Sequence, residues 1–414
     1  MSVDISLIIV GGGPAGLFCA LQAASENIDV LVLEKKRSCG NKLLISGSGQ
    51  CNITHDGEIQ QFLLHYGDNG SFLKPSLMNF GNQDLISFFN ERGVPLEIEP
   101  GGKVFPISHK ASDILDFLIH DCQKYGVRIK NSSPVTDVTY TDGRFQVTTD
   151  EDIVTSNYLV IATGGETYPA TGSTGDGFTF ASRLGHTVTE TGSALTGIQV
   201  KDYRFSDLSG ISFADLNITL FRDGKKIKTH IGDILFTHSG LSGPGILDFS
   251  RYIRPGDTLK VSFTPGIDTR EMNEKLIKRI SESGSKQLRT VLNGFRLPER
   301  VVRRLLELAN VDPDLTGPHL TKKDRTNLVD LITACPFEVS KLGGHEEAMA
   351  TRGGVNLSEV NPKTMESRII SGLFFVGEVL DIDGDTGGYN LQAAFSTAKL
   401  AGQRIHVLSE DEKH

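Results

Sequence analysis

No stretch of this chain commits it to a fold as strongly as residues 5–34. Ile5–Val10 is an apolar run too short for a helix, and it ends in Gly11-Gly12-Gly13-Pro14-Ala15-Gly16. An amphipathic run, Leu17 to Ala24, follows, and a second apolar strand, Asp29–Leu33, ends at Glu34. Strand, glycine turn, helix and strand within about 30 residues form a βαβ unit, which makes the two strands parallel neighbours of one α/β sheet. In Gly11-x-Gly13-x-x-Gly16 the first glycine allows the tight turn and the second lets backbone amides approach a pyrophosphate. The third lets the helix pack close to the sheet, its N-terminal dipole facing the phosphates. Glu34, 18 residues beyond Gly16, ends the second strand, where a carboxylate accepts hydrogen bonds from a ribose diol. An acid there disfavours a 2′-phosphate, which leaves FAD or NAD as the resident dinucleotide.

Two further apolar strands choose between them. One ends in Ala162-Thr163-Gly164-Gly165 and the other in Val376-Gly377-Glu378, so both deliver glycine turns to the same sheet edge. An NAD half-site needs one such turn, whereas FAD, longer and bound extended, needs contacts along its length. Gly387-Gly388-Tyr389-Asn390 then opens a long final helix over 391–408, whose N-terminus would stabilise negative charge on a reduced flavin. The reading is FAD.

Elsewhere, residues 40–54 are Gly/Ser-rich and irregular, a helix is predicted over Ser112–Tyr125, and Thr141-Asp142-Gly143-Arg144 joins two strands as a hairpin turn. From about 190 to 265 the pattern is of short strands, including Asn217–Phe221 and Lys225–Lys228, and from 270 to about 335 it is helical. The predicted architecture is a discontinuous α/β domain, 1–190 with 345–414, interrupted by a β-rich insertion, 191–268, and a helical subdomain, 269–344.

The segments LLISGSGQCNITH, GGKVFPISHKASDIL, VIATGGETYPATGSTGDG, LFTHSGLSGPGIL, ATRGGVNLSEVNPKTMESR and GLFFVGEVLDIDGDTGGYNLQAAFSTAKLAG resemble the BaiN-like family of FAD-dependent oxidoreductases, which also takes in YhiN-type and aminoacetone-oxidase-type flavoproteins. The resemblance runs from residue 5 to 405. It implies a glutathione-reductase-type Rossmann FAD domain with an inserted β-barrel-like domain and a small helical domain. It also implies FAD contacts at Ala15, Glu34, Lys42, the Ser46–Asn52 loop, Val135, Glu378 and Asn390–Leu391. Joined to the glycine turns and their flanks, the expected non-covalent FAD site is Gly11, Gly13, Pro14, Ala15, Gly16, Glu34, Lys35, Asn41, Lys42, Ser46, Gly47, Gly49, Gln50, Cys51, Asn52, Val135, Thr163, Gly164, Gly377, Glu378, Gly388, Asn390 and Leu391. The loop departs from the family pattern: Asn41 precedes Lys42, and Ser48 and Gln50 replace a glycine and an arginine, so two cations are lost beside the cofactor.

The five cysteines, 19, 39, 51, 122 and 335, contain no CxxC pair, which argues against a disulfide framework, a thiolate zinc site or a dithiol mechanism at Cys51, and fits a reducing cytoplasm. The 11 histidines show no His-x-x-x-His spacing, so no metal site is expected. His238, in Phe236-Thr237-His238-Ser239-Gly240, and Arg352, in Arg352-Gly353-Gly354, are the expected catalytic side chains on the substrate side; His109 and Tyr389 are weaker candidates. The formal net charge is −9, against a general polyanion or anionic-membrane binder. No apolar run approaches the ~20 residues that span a bilayer. Within that balance Arg270–Arg304 holds ten Lys/Arg against four Glu; with Phe295 as its one aromatic it reads as solvated helix faces, a polyanion dock being the rival reading. The expected activity is hydride transfer between flavin and a small organic substrate, with NADH, NADPH or the substrate itself as transient donor. Oxidation of a small amine and reduction of a conjugated double bond both fit. The rivals are a flavoprotein acting on RNA uridine and a flavin-binding redox sensor or scaffold without turnover.

Overall fold

The βαβ segment becomes β1 (Val3–Val10), α1 (Pro14–Ala23) and β2 (Val30–Leu33) in the computed structural model, which describes residues 3–25 and 28–411. Leu7, Ile8, Ile9 and Val32 are wholly buried, as strands covered on both faces must be. They belong to a seven-stranded sheet. Its parallel part runs β6 (Arg128–Lys130), β2, β1, β9 (Ile153–Ile161) and β18 (Leu373–Phe375). The first half of β9 pairs antiparallel with β8 (Arg144–Thr149), itself paired with β7 (Val135–Thr141) through the Asp142-Gly143 turn.

Helix α1 packs against the final helix, α13 (Tyr389–Asp411), and against α6 (Ala111–Lys124). Between β2 and α6 lie α2 (Asn41–Ile45), α3 (Ile59–Phe62), α4 (Gly70–Asn79), α5 (Asn82–Asn90) and a small sheet in the order β3 (Thr54–His55), β5 (Lys103–Pro106), β4 (Leu96–Ile98). Helix α7 (Asp176–Arg183) follows β9. Strands β10 (Gly192–Ala194) and β17 (Ala350–Arg352) pair antiparallel where the chain leaves this unit and returns to it.

The contact pattern divides the chain at 194/195 and 344/345. The second unit, Leu195–Gly344, is built on a closed barrel in the order β11 (Ile198–Val200), β14 (Gly240–Ser242), β13 (Lys225–Phe236), β12 (Ser212–Arg222), β15 (Thr258–Ser262), β16 (Cys335–Leu342). Helix α8 (Pro244–Phe249) follows β14, and α9 (Thr269–Ser283), α10 (Leu288–Asn293), α11 (Glu299–Leu308) and α12 (Lys322–Ala334) lie between β15 and β16.

Two details differ from the sequence reading. Strands β12 and β13 are one long hairpin rather than two short strands. The helical stretch is not a separate layer of the insertion: Leu276, Val302 and Leu328 share one buried cluster with Phe236 and Phe337, and β16, inside the stretch read as helical subdomain, closes the barrel by pairing with β15 and β11. A strand so placed ties the helices' end to the barrel's own ladder.

Candidate functional site

A cavity opens at the carboxyl ends of β1, β2, β9 and β18, its wall including Val10, Leu33, Ala162 and Val376, where ligands of open α/β sheets bind. It encloses about 1230 Å³ of empty space, the open solvent at its mouth included. All the residues of its wall belong to the first unit.

At one end lies the glycine turn. Gly11 has φ +109°, and a Cβ on it would stand 2.5 Å from the Ala162 carbonyl oxygen; one on Gly16 would overlap the Gly11 carbonyl oxygen. These two positions let the helix start against the sheet. Gly13, the N-cap of α1, has no atom within 4 Å of where a side chain would begin. The first turn of α1 carries no acidic residue, so its amides and dipole face open space that an anion can fill. Glu34 is 9% exposed. Its Oε2 accepts from the Gly12 amide at 2.8 Å and its Oε1 from the Lys36 amide at 2.8 Å, which orients the carboxylate on the wall. Lys35 donates to Asp176 at 2.6 Å.

Elsewhere on the wall Lys42 donates to Glu378 at 2.7 and 3.0 Å and to Thr167 at 2.7 Å. Glu378 also accepts from the Thr351 amide at 2.9 Å. Both members of the pair line the cavity, as do Asn390, Leu391 and Ala394 in the first turns of α13. The Asn390 amide donates to the Gly384 carbonyl at 2.9 Å and accepts from the Gly384 amide at 2.8 Å, clamping the loop before the helix.

Of the residues expected from sequence, Gly11, Gly13, Pro14, Ala15, Glu34, Lys35, Asn41, Lys42, Ser46, Val135, Thr163, Gly164, Glu378, Asn390 and Leu391 line this cavity. Gly16, Gly47, Gly49, Gln50, Cys51, Asn52, Gly377 and Gly388 lie outside its wall. Gly16 is inside α1, Gln50 meets His109 at 3.3 Å, and Gly388 is pressed on the Thr54 backbone. Cys51 is fully buried, and burial pushes its thiol up to about 12. Burial also pushes Cys39 up to about 12, the nearby Glu34 charge adding to it. All five thiols are buried and unpaired by disulfides, and none is poised as a thiolate nucleophile.

His238 is an exposed residue of the turn between β13 and β14, in the second unit. Arg352 ends β17 in the first, its guanidinium against Gly192 and 3.8 Å from Glu190. Tyr389 is stacked between His55 and His65, at 5.3 and 4.1 Å. Sequence reasoning passed over Ser133, Thr171, Gly172, Ser173, Asp176 and Phe180, which also wall the cavity. The signal for four of them was present in the glycine- and hydroxyl-rich run after Gly165. Among the described residues no group of His, Cys, Asp and Glu could hold a metal ion, and no helix is long and apolar enough to cross a membrane.

Comparison with known proteins adds the family. A profile described as the HI0933-like protein Rossmann domain matches residues 5–404. A ribosomal RNA dihydrouridine synthase of Haemophilus influenzae is 33% identical over 398 residues, 94% of this chain and 96% of that protein. A 3-dehydro-bile acid delta(4,6)-reductase of Clostridium scindens is 29% identical over 406 residues, covering 95% and 97%. Among solved structures, a 3-ketosteroid delta1-dehydrogenase of Sterolibacterium denitrificans superposes with a TM-score of 0.52 at 12% identity, over 98% of this chain and all of that one, a likeness of fold. Cradle, sheet order and profile agree: the chain belongs to the HI0933-like Rossmann family and is an FAD-dependent oxidoreductase.

Proposed function

We propose that the chain reduces a carbon–carbon double bond conjugated to a carbonyl, and that its substrate is a uridine of RNA. The observation that carries the reductase reading is the continuity of the cavity from the Gly11–Gly16 turn and Glu34 to the Lys42–Glu378 pair and the start of α13. A wall that joins a phosphate-facing glycine turn, a carboxylate at the end of β2 and residues of the glycine turns after two further strands suits an extended dinucleotide, and no reactive thiol accompanies it. FAD, when bound there without a covalent link, supplies the hydride. The amides at the start of α1 hold the pyrophosphate, and Glu34 takes a ribose hydroxyl. Lys42, fixed by Glu378 and Thr167, and the positive end of α13 present electropositive groups to the other half of the cavity. NADH or NADPH, binding transiently, is the electron donor. Arg352, two residues beyond the cavity-wall residue Ala350, serves the substrate side. The five buried free thiols suit a reducing cytoplasm.

Uridine is favoured because relatives over nearly the whole chain include a ribosomal RNA dihydrouridine synthase at 33% identity. The second reading, a steroid-like enone, rests on the bile-acid reductase at 29%. Both relatives' names describe saturation of a double bond. Anaerobic holoenzyme reduced with NADH or NADPH, then mixed with protein-free ribosomal RNA or with a 3-keto-4,6-diene steroid, tests the proposal. RNA is expected to reoxidise the flavin and acquire dihydrouridine. Reoxidation by the steroid alone selects the second reading, and a flavin that stays reduced with both overturns the reductase assignment.

A further inference from the structure

We propose that the β12–β13 hairpin of the barrel is the surface on which RNA phosphates dock. The inference rests on the RNA reading above and concerns a place on the second unit that none of the cofactor residues occupies. The hairpin reads Arg222-Asp223-Gly224-Lys225-Lys226 across its turn, in a chain whose net charge is −9. Lys225 and Lys226 are exposed and neither has an ion-pair partner among the described residues. Register places Phe221 opposite Lys226 on one side and Thr258 on the other, and Thr219 opposite both Thr229 and Lys260. Directly opposed residues share a face, and the alternate positions Ile218, Leu220, Leu259 and Val261 are wholly buried. The barrel's outer face at this end therefore carries Lys226, Lys260, three threonine hydroxyls (Thr219, Thr229 and Thr258) and the half-buried ring of Phe221. Lys260 lies over that ring at 4.7 Å. On the hairpin's other face Lys228 lies over Tyr252 at 3.7 Å. Cations, hydroxyls and an aromatic ring on one face are groups that hold phosphates and stack bases.

In the stretch 270–304, read from sequence as solvated helix faces with a polyanion dock as the rival, six of the ten cations are ion-paired. Arg270, Lys275, Lys278, Arg289, Arg303 and Arg304 each have a carboxylate within 4 Å and Arg279 lies over the Phe295 ring at 4.6 Å, while Lys286, Arg296 and Arg300 have no carboxylate partner among the described residues and are spread along the stretch. The hairpin sets its unpaired cations side by side at one turn. Arg222 is bound by Asp257, but the lysines beyond it leave Asp223 as the one acid in the turn.

The test uses the FAD-loaded enzyme and a fluorescein-labelled 30-nucleotide RNA, with anisotropy read between 50 and 200 mM KCl. The double variant Lys225→Glu/Lys226→Glu is expected to raise Kd at least about tenfold at 100 mM KCl and to reduce the log–log salt slope by about 0.7 per lost phosphate contact. Lys260→Glu should do the same more weakly. The helix-face variant Lys275→Glu/Lys278→Glu should stay within about twofold of the parent, and all variants should keep their FAD content and thermal midpoint. Parent-like affinity and slope in the hairpin variants overturn the assignment, as does an equal loss in the helix-face variant. Lysine-dependent binding to phosphatidylglycerol vesicles without RNA binding assigns the patch to a lipid surface and also overturns it. Dihydrouridine in treated ribosomal RNA, measured by mass spectrometry, separates the two levels. If hairpin variants bind and modify RNA like the parent, the docking surface falls and the RNA reading stands; if the parent does neither, both fall.

Discussion

Glu34 does two things with one carboxylate: it caps the amides of Gly12 and Lys36 and faces the cavity. Glu34→Gln keeps the size but replaces one acceptor oxygen by an NH2 that must face a backbone donor. Losing charge-assisted hydrogen bonds worth roughly 1.5–3 kcal/mol should weaken FAD binding about 10- to 150-fold. Quenching of FAD fluorescence on titrating the deflavinated variant measures this, and an unchanged Kd would show that Glu34 does not hold the ribose. The buried thiols make a second prediction. Cys39, Cys51, Cys122 and Cys335 are each pushed up to about 12 by burial. At pH 8 the native protein should react with a thiol-directed disulfide reagent only as fast as it unfolds. Because the folded values lie above the unfolded value of about 9, stability from keeping these thiols neutral is intact below pH 9. It is lost progressively as the pH rises towards 12, and urea midpoints across that range should fall.

Elements with a local signature are legible in the sequence by itself. The turn Gly11–Gly16, the Asp142-Gly143 hairpin and the final helix each announce themselves by spacing within a dozen residues. Strand β16 does not: α12 ends at Ala334 and the strand begins at Cys335 with no glycine or proline loop between. Its alternation of buried and exposed residues becomes visible only beside β11 and β15. The cavity shows the same limit, since Lys42 and Glu378 meet across 336 residues, a distance at which spacing carries no information. Long-range pairing of this kind also sets an element's worth. Asp257, 2% exposed, receives both Arg222 contacts at 2.8 Å and the Arg254 amide at 2.7 Å, fastening β12 to the turn before β15. Asp257→Ala strands those donors and should cost about 3 kcal/mol. Urea denaturation measures it, and a loss below about 1 kcal/mol would show that the pair does not hold the barrel's end.

At the scale of the molecule, all the groups assigned to FAD lie in one of the two units, so the cofactor should stabilise one and leave the other alone. At 100 times Kd, binding adds about 2.7 kcal/mol. Calorimetry with and without FAD should show one transition moving upward while the barrel's stays; a single transition moving as a whole would mean the units unfold together. The two-part construction of the first unit also orders the chain's birth. Strand β18 and the start of α13 lie beyond residue 345, after the whole barrel has been made. At about 5–20 residues per second on the ribosome, residues 195–391 take roughly 10–40 s to synthesise. For most of that interval, until residue 373 is reached, the nascent chain owns Gly11–Gly16 and Glu34 but neither Glu378 nor Asn390, and the later half of β9 has no partner on the side β18 will occupy. Cofactor capture is thus a late event, and a chain stalled in the barrel offers its neighbours an open strand edge for as long as translation waits.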